Sequence, residues 1–203
     1  MLVFLFVTFS CIFVLYWYRV PHYIIIMTLK EEQILVKQAQ KGDREALSKL
    51  WDAITPKLFG YLVNTLKDKT LAEDIFQNTW LKVIQALPQF RYKGNSVSSW
   101  IFAIARNECR QYWRNNKGEV ELLDDQMAEV SSPDANKTTD DRLVVEKILK
   151  DLSEDDRELL RLRYIADLPI DEIAKVLNIN FVAVRVRLYR AVSRARKLMA
   201  SNS

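Results

Sequence analysis

From residue 30 onward apolar side chains recur at helical spacing, and no stretch sustains the strict alternation of a half-buried strand. Ile34, Leu35 and Gln38/Ala39 mark a first helix over residues 31–40. Gly42-Asp43 resets the chain, and Asp43 is placed to cap a helix carrying Ala46, Leu47, Leu50 and Trp51. Another helix is predicted from about Pro56 through Leu66, with Leu58, Phe59, Leu62 and Val63 inward. Thr70 is the expected cap of a helix over 71–87, stopped by Pro88, whose buried face is Phe76, Trp80, Val83, Ile84 and Leu87. Ser98 or Ser99 opens the next helix, which reaches about Asn115.

The pattern then lapses. Residues 117–141 are acidic, rich in Ser, Thr, Asp and Asn, and free of aromatics, which predicts a flexible linker. Helices resume near Leu143. Ser153 with Asp156 three residues on reads as a helix start, and Glu154, Asp155 and Asp156 suit its positive end. After Asp167-Leu168-Pro169 come a short helix over 170–177, the turn Asn178-Ile179-Asn180, and a long helix from Phe181 to about Ala200. The fold class is therefore all-α. Two small helical domains, 27–116 and 142–203, are joined by the acidic linker 117–141.

The last two helices have the layout of a helix-turn-helix. Ile173, Ala174 and Leu177 are spaced to pack inward, Asn178 tolerates the left-handed conformation that the turn needs, and Ile179 plugs the turn. From Arg185 to Lys197 there are six basic residues and no acid. At about 100° per residue, Val184, Leu188, Ala191, Val192 and Ala195 form an apolar stripe, with Arg187, Arg190, Arg194 and Lys197 on roughly the other side. An apolar stripe backed by an acid-free basic face suits a helix lying against phosphates better than a merely solvated one.

Composition narrows the chemistry. Among 203 residues there are two cysteines, Cys11 and Cys109, and one histidine, His22, which excludes a disulfide framework, a Cys-based zinc site and His-dependent triads. Four scattered glycines cannot form a phosphate-binding loop. A conventional enzyme, a metal site and a cofactor are not expected. The net charge of +4 is too small to argue for nucleic acid by itself, so the placement of charge must.

The first domain offers a second candidate surface. Phe90-Arg91-Tyr92-Lys93-Gly94-Asn95-Ser96 joins aromatic, basic and amide groups in one loop, and Trp100, Phe102, Arg106, Asn107, Arg110, Tyr112, Trp113 and Arg114 follow. Such interleaving can stack unpaired bases while neutralising phosphates. Trp100, Ile101, Ile104 and Ala105 also suit a core, whereas Tyr92, Arg106, Arg110 and Arg114 do not. On the preceding helix Asp74, Gln77, Asn78, Leu81 and Gln85 lie away from the apolar face, either as a solvated surface or as a docking face for another protein.

Residues 1–18 are uncharged and almost wholly apolar, about 27 Å of helix at roughly 1.5 Å per residue and close to the minimum for a bilayer span. No basic segment precedes the run, which argues against a signal peptide. A membrane anchor with the domains on the cytoplasmic side of Arg19 competes with a biological start at Met27. The second is favoured, and membrane contact is expected only if residues 1–26 are translated.

Five segments together resemble the extracytoplasmic-function sigma factors of bacterial RNA polymerase: GDREALSKLWD (42–52), AEDIFQNTWLKVIQALPQFRYKG (72–94), SWIFAIARNECRQYWRNN (99–116), LSEDDRELLRLRYIADLPIDEIAKVLNIN (152–180) and AVRVRLYRA (183–191). Order and spacing agree across nearly all of 30–199. The resemblance implies that Asp74, Gln77, Asn78 and Leu81 dock on core polymerase. It implies that Phe90, Tyr92, Lys93, Asn95, Trp100, Arg106, Asn107, Arg110 and Arg114 read and open the minus-ten element. It also implies that Ala183, Arg185, Arg187, Tyr189, Arg190 and Arg194 hold the minus-thirty-five element in the major groove. The partners implied are core polymerase, promoter DNA and an anti-sigma protein, all met in the cytoplasm. Two departures stand out. The family often has Thr-Val-Lys-Ser-Arg where this chain has Ala183-Val184-Arg185-Val186-Arg187, which removes two hydroxyls, and Asn178 stands at the usual turn glycine. The competing readings are an autonomous, dimeric helix-turn-helix regulator, anchored or not, and a membrane-tethered interaction scaffold, which leaves the basic face without purpose.

Overall fold

A computed structural model describes residues 28–92, Gly94, 96–116 and 152–201. The apolar start, the acidic linker and the helix expected near Leu143 lie outside the described residues. Everything regular that is described is helical. Helix α1 (Leu29–Gln40) opens on a capping box in which the Thr28 hydroxyl accepts from the Glu31 amide and the Glu31 carboxylate accepts from the Thr28 amide. Gly42, at φ +91°, makes the turn, and Asp43 caps α2 (Arg44–Leu66) by accepting from the amides of Glu45 and Ala46.

Helix α2 is a single element of 23 residues where the sequence reading has two. Pro56 lies inside it and removes the hydrogen bond to the carbonyl of residue 52. That position is exposed, so water can serve the carbonyl, while Ile54 and Leu58 stay buried on either side of the proline. Burial on one face outweighs the loss on the other.

Asp68, rather than Thr70, caps α3 (Lys69–Ala86), its carboxylate accepting from the Leu71 amide, and a 3₁₀ turn over Leu87–Gln89 ends at Phe90. Helix α4 (Val97–Asn115) is capped by Ser96, two residues ahead of the first serine expected there. Trp51, Phe76 and Trp80 pack against one another, with Trp51 and Trp80 ring centroids 4.4 Å apart. Beneath them lie Leu58, Leu62, Val83, Val97, Ile101 and Phe102.

Beyond the linker, Ser153 caps α5 (Glu154–Leu160), which runs into a π-helical turn over Arg161–Ile165. Helix α6 (Ile170–Leu177) ends at Asn178, which is left-handed at φ 53° as expected, and α7 (Phe181–Ser201) follows. Leu159, Leu162, Ile173, Ala174, Val176, Val184, Leu188 and Ala191 are buried between these helices.

The two domains pack together. Their buried side chains form one continuous hydrophobic cluster. Gly60 on α2 faces Ile165, where a Cβ would meet the isoleucine methyl at 3.4 Å, an ordinary packing distance. Lys57 on α2 pairs with Asp167 at 3.0 Å, and α4 packs along α6.

Candidate nucleic-acid interface

The loop before α4 is organised by two carboxylates that converge on one helix N-terminus. Glu32 of α1 accepts from the Val97 amide at 2.6 Å, the Ser98 hydroxyl at 3.2 Å and the Tyr92 hydroxyl at 3.5 Å. Glu172 of α6 accepts from the Ser96 hydroxyl at 2.6 Å and the Ser96 amide at 3.3 Å. A helix N-terminus has free amides and partial positive charge, so it attracts both. Their titrations differ. Burial raises the Glu32 carboxyl above its ordinary value, against the bonds from Val97 and Ser98. For Glu172 burial acts in the same sense, but hydrogen bonds from Ser96, Ser99 and Lys175, with the charge of Lys175, outweigh it and hold the carboxyl below its ordinary value.

Within this frame the residues expected to read the minus-ten element divide. Phe90 is buried, 4.8 Å from the Trp100 ring and 5.0 Å from the Tyr92 ring, so it positions the loop and presents no free face. Trp100 and Tyr92 are half-buried, and burial beside Glu32 keeps the Tyr92 phenol protonated well above its usual range. Lys93 and Asn95 lie outside the described residues. Asn107, Arg110 and Arg114 are exposed along α4. Arg106 is turned inward: its Nε donates to Glu158 Oε1 at 2.7 Å and its Nη2 to Oε2 at 3.1 Å, a bidentate pair across the domains. Asp155 and Glu158 of α5, with Arg106 and Arg110 of α4, also line a cleft of about 200 Å³. The acidic start of α5 thus lies against the basic helix. Glu158 and Glu172 were not singled out from sequence, where Glu154, Asp155 and Asp156 read only as favourable helix-start charge.

On α3, Asp74, Gln77, Asn78, Leu81, Ile84 and Gln85 are all exposed, and their spacing of three and four puts them in one stripe. Ile84 is a correction, since it is 48 % exposed and lies with Leu81, itself 55 % exposed, on the outer face. Ile75 and Thr79 take its place in the buried set.

Helix α7 begins where the Asn180 side chain accepts from the Val182 amide at 2.7 Å. Val184, Leu188 and Ala191 seat it on the domain. Arg185, Arg187, Tyr189 and Arg190 are exposed, and Ala183 is half-buried. Arg194 makes an ion pair with Asp156, a carboxylate only 7 % exposed at the start of α5. Arg187 lines a small cleft with Arg106, Asp155 and Glu158. The basic face therefore divides into an outward part and a part turned toward α5.

An all-helical pair of modules, one ending in a helix-turn-helix with an acid-free outer helix and the other carrying an aromatic and basic loop, is the architecture of a DNA-binding protein. Comparison with known proteins makes the class specific. Residues 50–119 match the family model for Sigma-70 region 2, and residues 142–198 match that for Sigma-70 region 4. The ECF RNA polymerase sigma factor ShbA of Streptomyces griseus is 30 % identical over 179 residues, covering 81 % of this chain and 93 % of that protein. The ECF RNA polymerase sigma factor BldN of Streptomyces coelicolor is 25 % identical over 174 residues, covering 83 % of this chain, which spans only 66 % of BldN's length. In fold the chain is like the sigma factor RpoE of Bartonella quintana, solved with the anti-sigma factor NepR, at a TM-score of 0.61 and 23 % identity over 77 % of this chain and 98 % of that one. The chain belongs to the ECF sigma factors of RNA polymerase. Proteins of this family are transcription initiation factors. Among the described residues no helix is long and apolar enough to cross a membrane, and no group of acidic, histidine or cysteine side chains could hold a metal.

Proposed function

We propose that this chain binds core RNA polymerase in the cytoplasm, selects promoters at two elements, and contributes no bond-making chemistry of its own. The α3 stripe of Asp74, Gln77, Asn78, Leu81, Ile84 and Gln85 docks on polymerase, its two apolar residues supplying the burial and its polar ones the register. The loop at 90–96 with Asn107, Arg110 and Arg114 captures unstacked bases of the minus-ten element, and α7 anchors the minus-thirty-five element. The observation that carries this reading is the outward face of α7, exposed and without an acid from residue 173 to the C-terminus.

The two elements are about 25 base pairs apart, roughly 85 Å of duplex at about 3.4 Å per step. Yet the loop before α4 touches α6 through Ser96 and Glu172, and α6 is only eight residues long before the turn into α7. Binding both elements therefore requires the domains to part, which also frees Arg106 from Glu158. An anti-sigma factor fits the same scheme as a protein that holds the chain off polymerase.

Run-off transcription with purified core polymerase tests the proposal. The expected result is promoter-specific transcript that depends on the chain. Duplex binding without polymerase and no specific transcript would establish an autonomous regulator instead, and binding to neither would leave a scaffold.

A further inference from the structure

The exposed face of α7 has an apolar centre. Val182 is 62 % exposed, Val186 41 %, Tyr189 76 % and Phe181 46 %, on a helix whose other face is seated in the core. At about 100° per residue Val182, Val186 and Tyr189 share one line. Arg185 and Arg196 flank it on one side, and Arg190 and Lys197 on the other. All four cations are exposed, and none has an ion-pair partner among the described residues. No acid interrupts this face, so an apolar strip runs between two cationic rims.

A helix about 10–12 Å across fits a major groove about 12 Å wide. In that position the rims meet the two phosphate strands and the strip meets the base edges. Reading helices contact bases through their N-terminal residues, and Val182 and Val186 lie in the first two turns of α7. A valine can neither donate nor accept a hydrogen bond. The apolar group that the major groove offers is the C5-methyl of thymine.

We propose that Val182 and Val186 are specificity-determining residues that read thymine methyl groups in the upstream promoter element. The proposal rests on α7 being the upstream reader and names the chemistry by which it discriminates. Both side chains are exposed, so changing them does not disturb the core.

The test uses holoenzyme assembled from the full chain and core polymerase, with a promoter library randomised across the upstream element. Enriched promoters carry thymine at one or two fixed upstream positions. Replacing each such thymine by deoxyuridine keeps its pairing and removes only the methyl. The expected loss is about fourfold in affinity per contacted methyl. Val186→Ser, with an unchanged melting temperature, should lose both the thymine preference and the deoxyuridine penalty at one position. An upstream preference that is indifferent to deoxyuridine overturns the inference and leaves the sigma reading standing. So does a deoxyuridine penalty that survives both Val186→Ser and Val182→Ser. A library with no upstream preference at all overturns both.

Discussion

Glu32 and Glu172 approach the same helix N-terminus from different domains and titrate in opposite senses. Glu32 is raised by burial, so the folded state favours its protonated form. Its stabilising contribution is full below the ordinary carboxyl value of 4.5 and is lost as pH rises through the raised value. Glu32→Gln keeps an acceptor for the Val97 amide and abolishes this titration. The variant, a neutral mimic of the protonated acid, should therefore match the parent most nearly in mild acid and gain stability relative to it as pH rises toward neutrality. Thermal melts between pH 4.5 and 7.5 read it, and a pH-independent difference would remove Glu32 from this role. Single residues also show where local chemistry is legible. Asp43, Ser153 and Asn178 do what their side chains predict, because caps and left-handed turns depend on neighbours in the chain. Ser96 displaces Ser98 and Ser99 as the cap because the chain enters α4 earlier, where Glu32 and Glu172 wait for its amides.

At the scale of the element, α7 separates binding from stability. Arg190→Ala should weaken promoter binding uniformly and lower the slope of log affinity against log salt by about 1. Arg187→Ala should do the same once the domains have parted. Arg194→Ala leaves the buried Asp156 without its cation. It should lower stability by about 1–3 kcal/mol, seen as a lower melting temperature. Salt titrations of binding alongside thermal melts separate the two classes. Equal thermal loss for Arg190→Ala and Arg194→Ala would contradict the division. Periodicity located α7 and its apolar stripe correctly, yet it grouped Arg194 with the outward cations. Arg194 stands where Asp156 of the neighbouring α5, rather than the helical angle, decides which way the long side chain turns. Ile84 has the same lesson, since α3 has more apolar residues than its seat in the core can cover.

For the whole molecule the governing question is how firmly the domains are closed. Lys57–Asp167, Arg106–Glu158 and Ser96–Glu172 bridge them, and the Gly60–Ile165 contact brings them close. Lys57→Ala with Glu172→Ala removes two bridges without touching a residue placed on DNA. A larger interdomain distance by fluorescence energy transfer is expected, with tighter binding to core polymerase by up to about tenfold, because less of the binding energy is spent on opening. Unchanged distance and affinity would mean that the apolar contacts and the Arg106–Glu158 pair set closure. The depressed carboxyl of Glu172 gives the matching pH dependence. Its bond to Ser96 contributes above the ordinary value of 4.5 and is lost as pH falls through the lower value, so the parent loses this bridge in acid while the Glu172→Ala variant has none to lose.

Local information in the chain was enough for the helical class, the division into two modules, the helix-turn-helix and the acid-free cationic helix. Each depends on spacing within one helix or on the chemistry of a cap or turn, over distances of a few residues. Tertiary structure decided what those faces meet. Arg106 is held by a carboxylate 52 residues away, and Ser96 by one 76 residues away. Pro56 is carried inside a continuous helix, and Leu81 and Ile84 are left uncovered on α3. Periodicity tells which side of a helix is apolar, but only the packing of one helix on another tells which part of it remains for a partner.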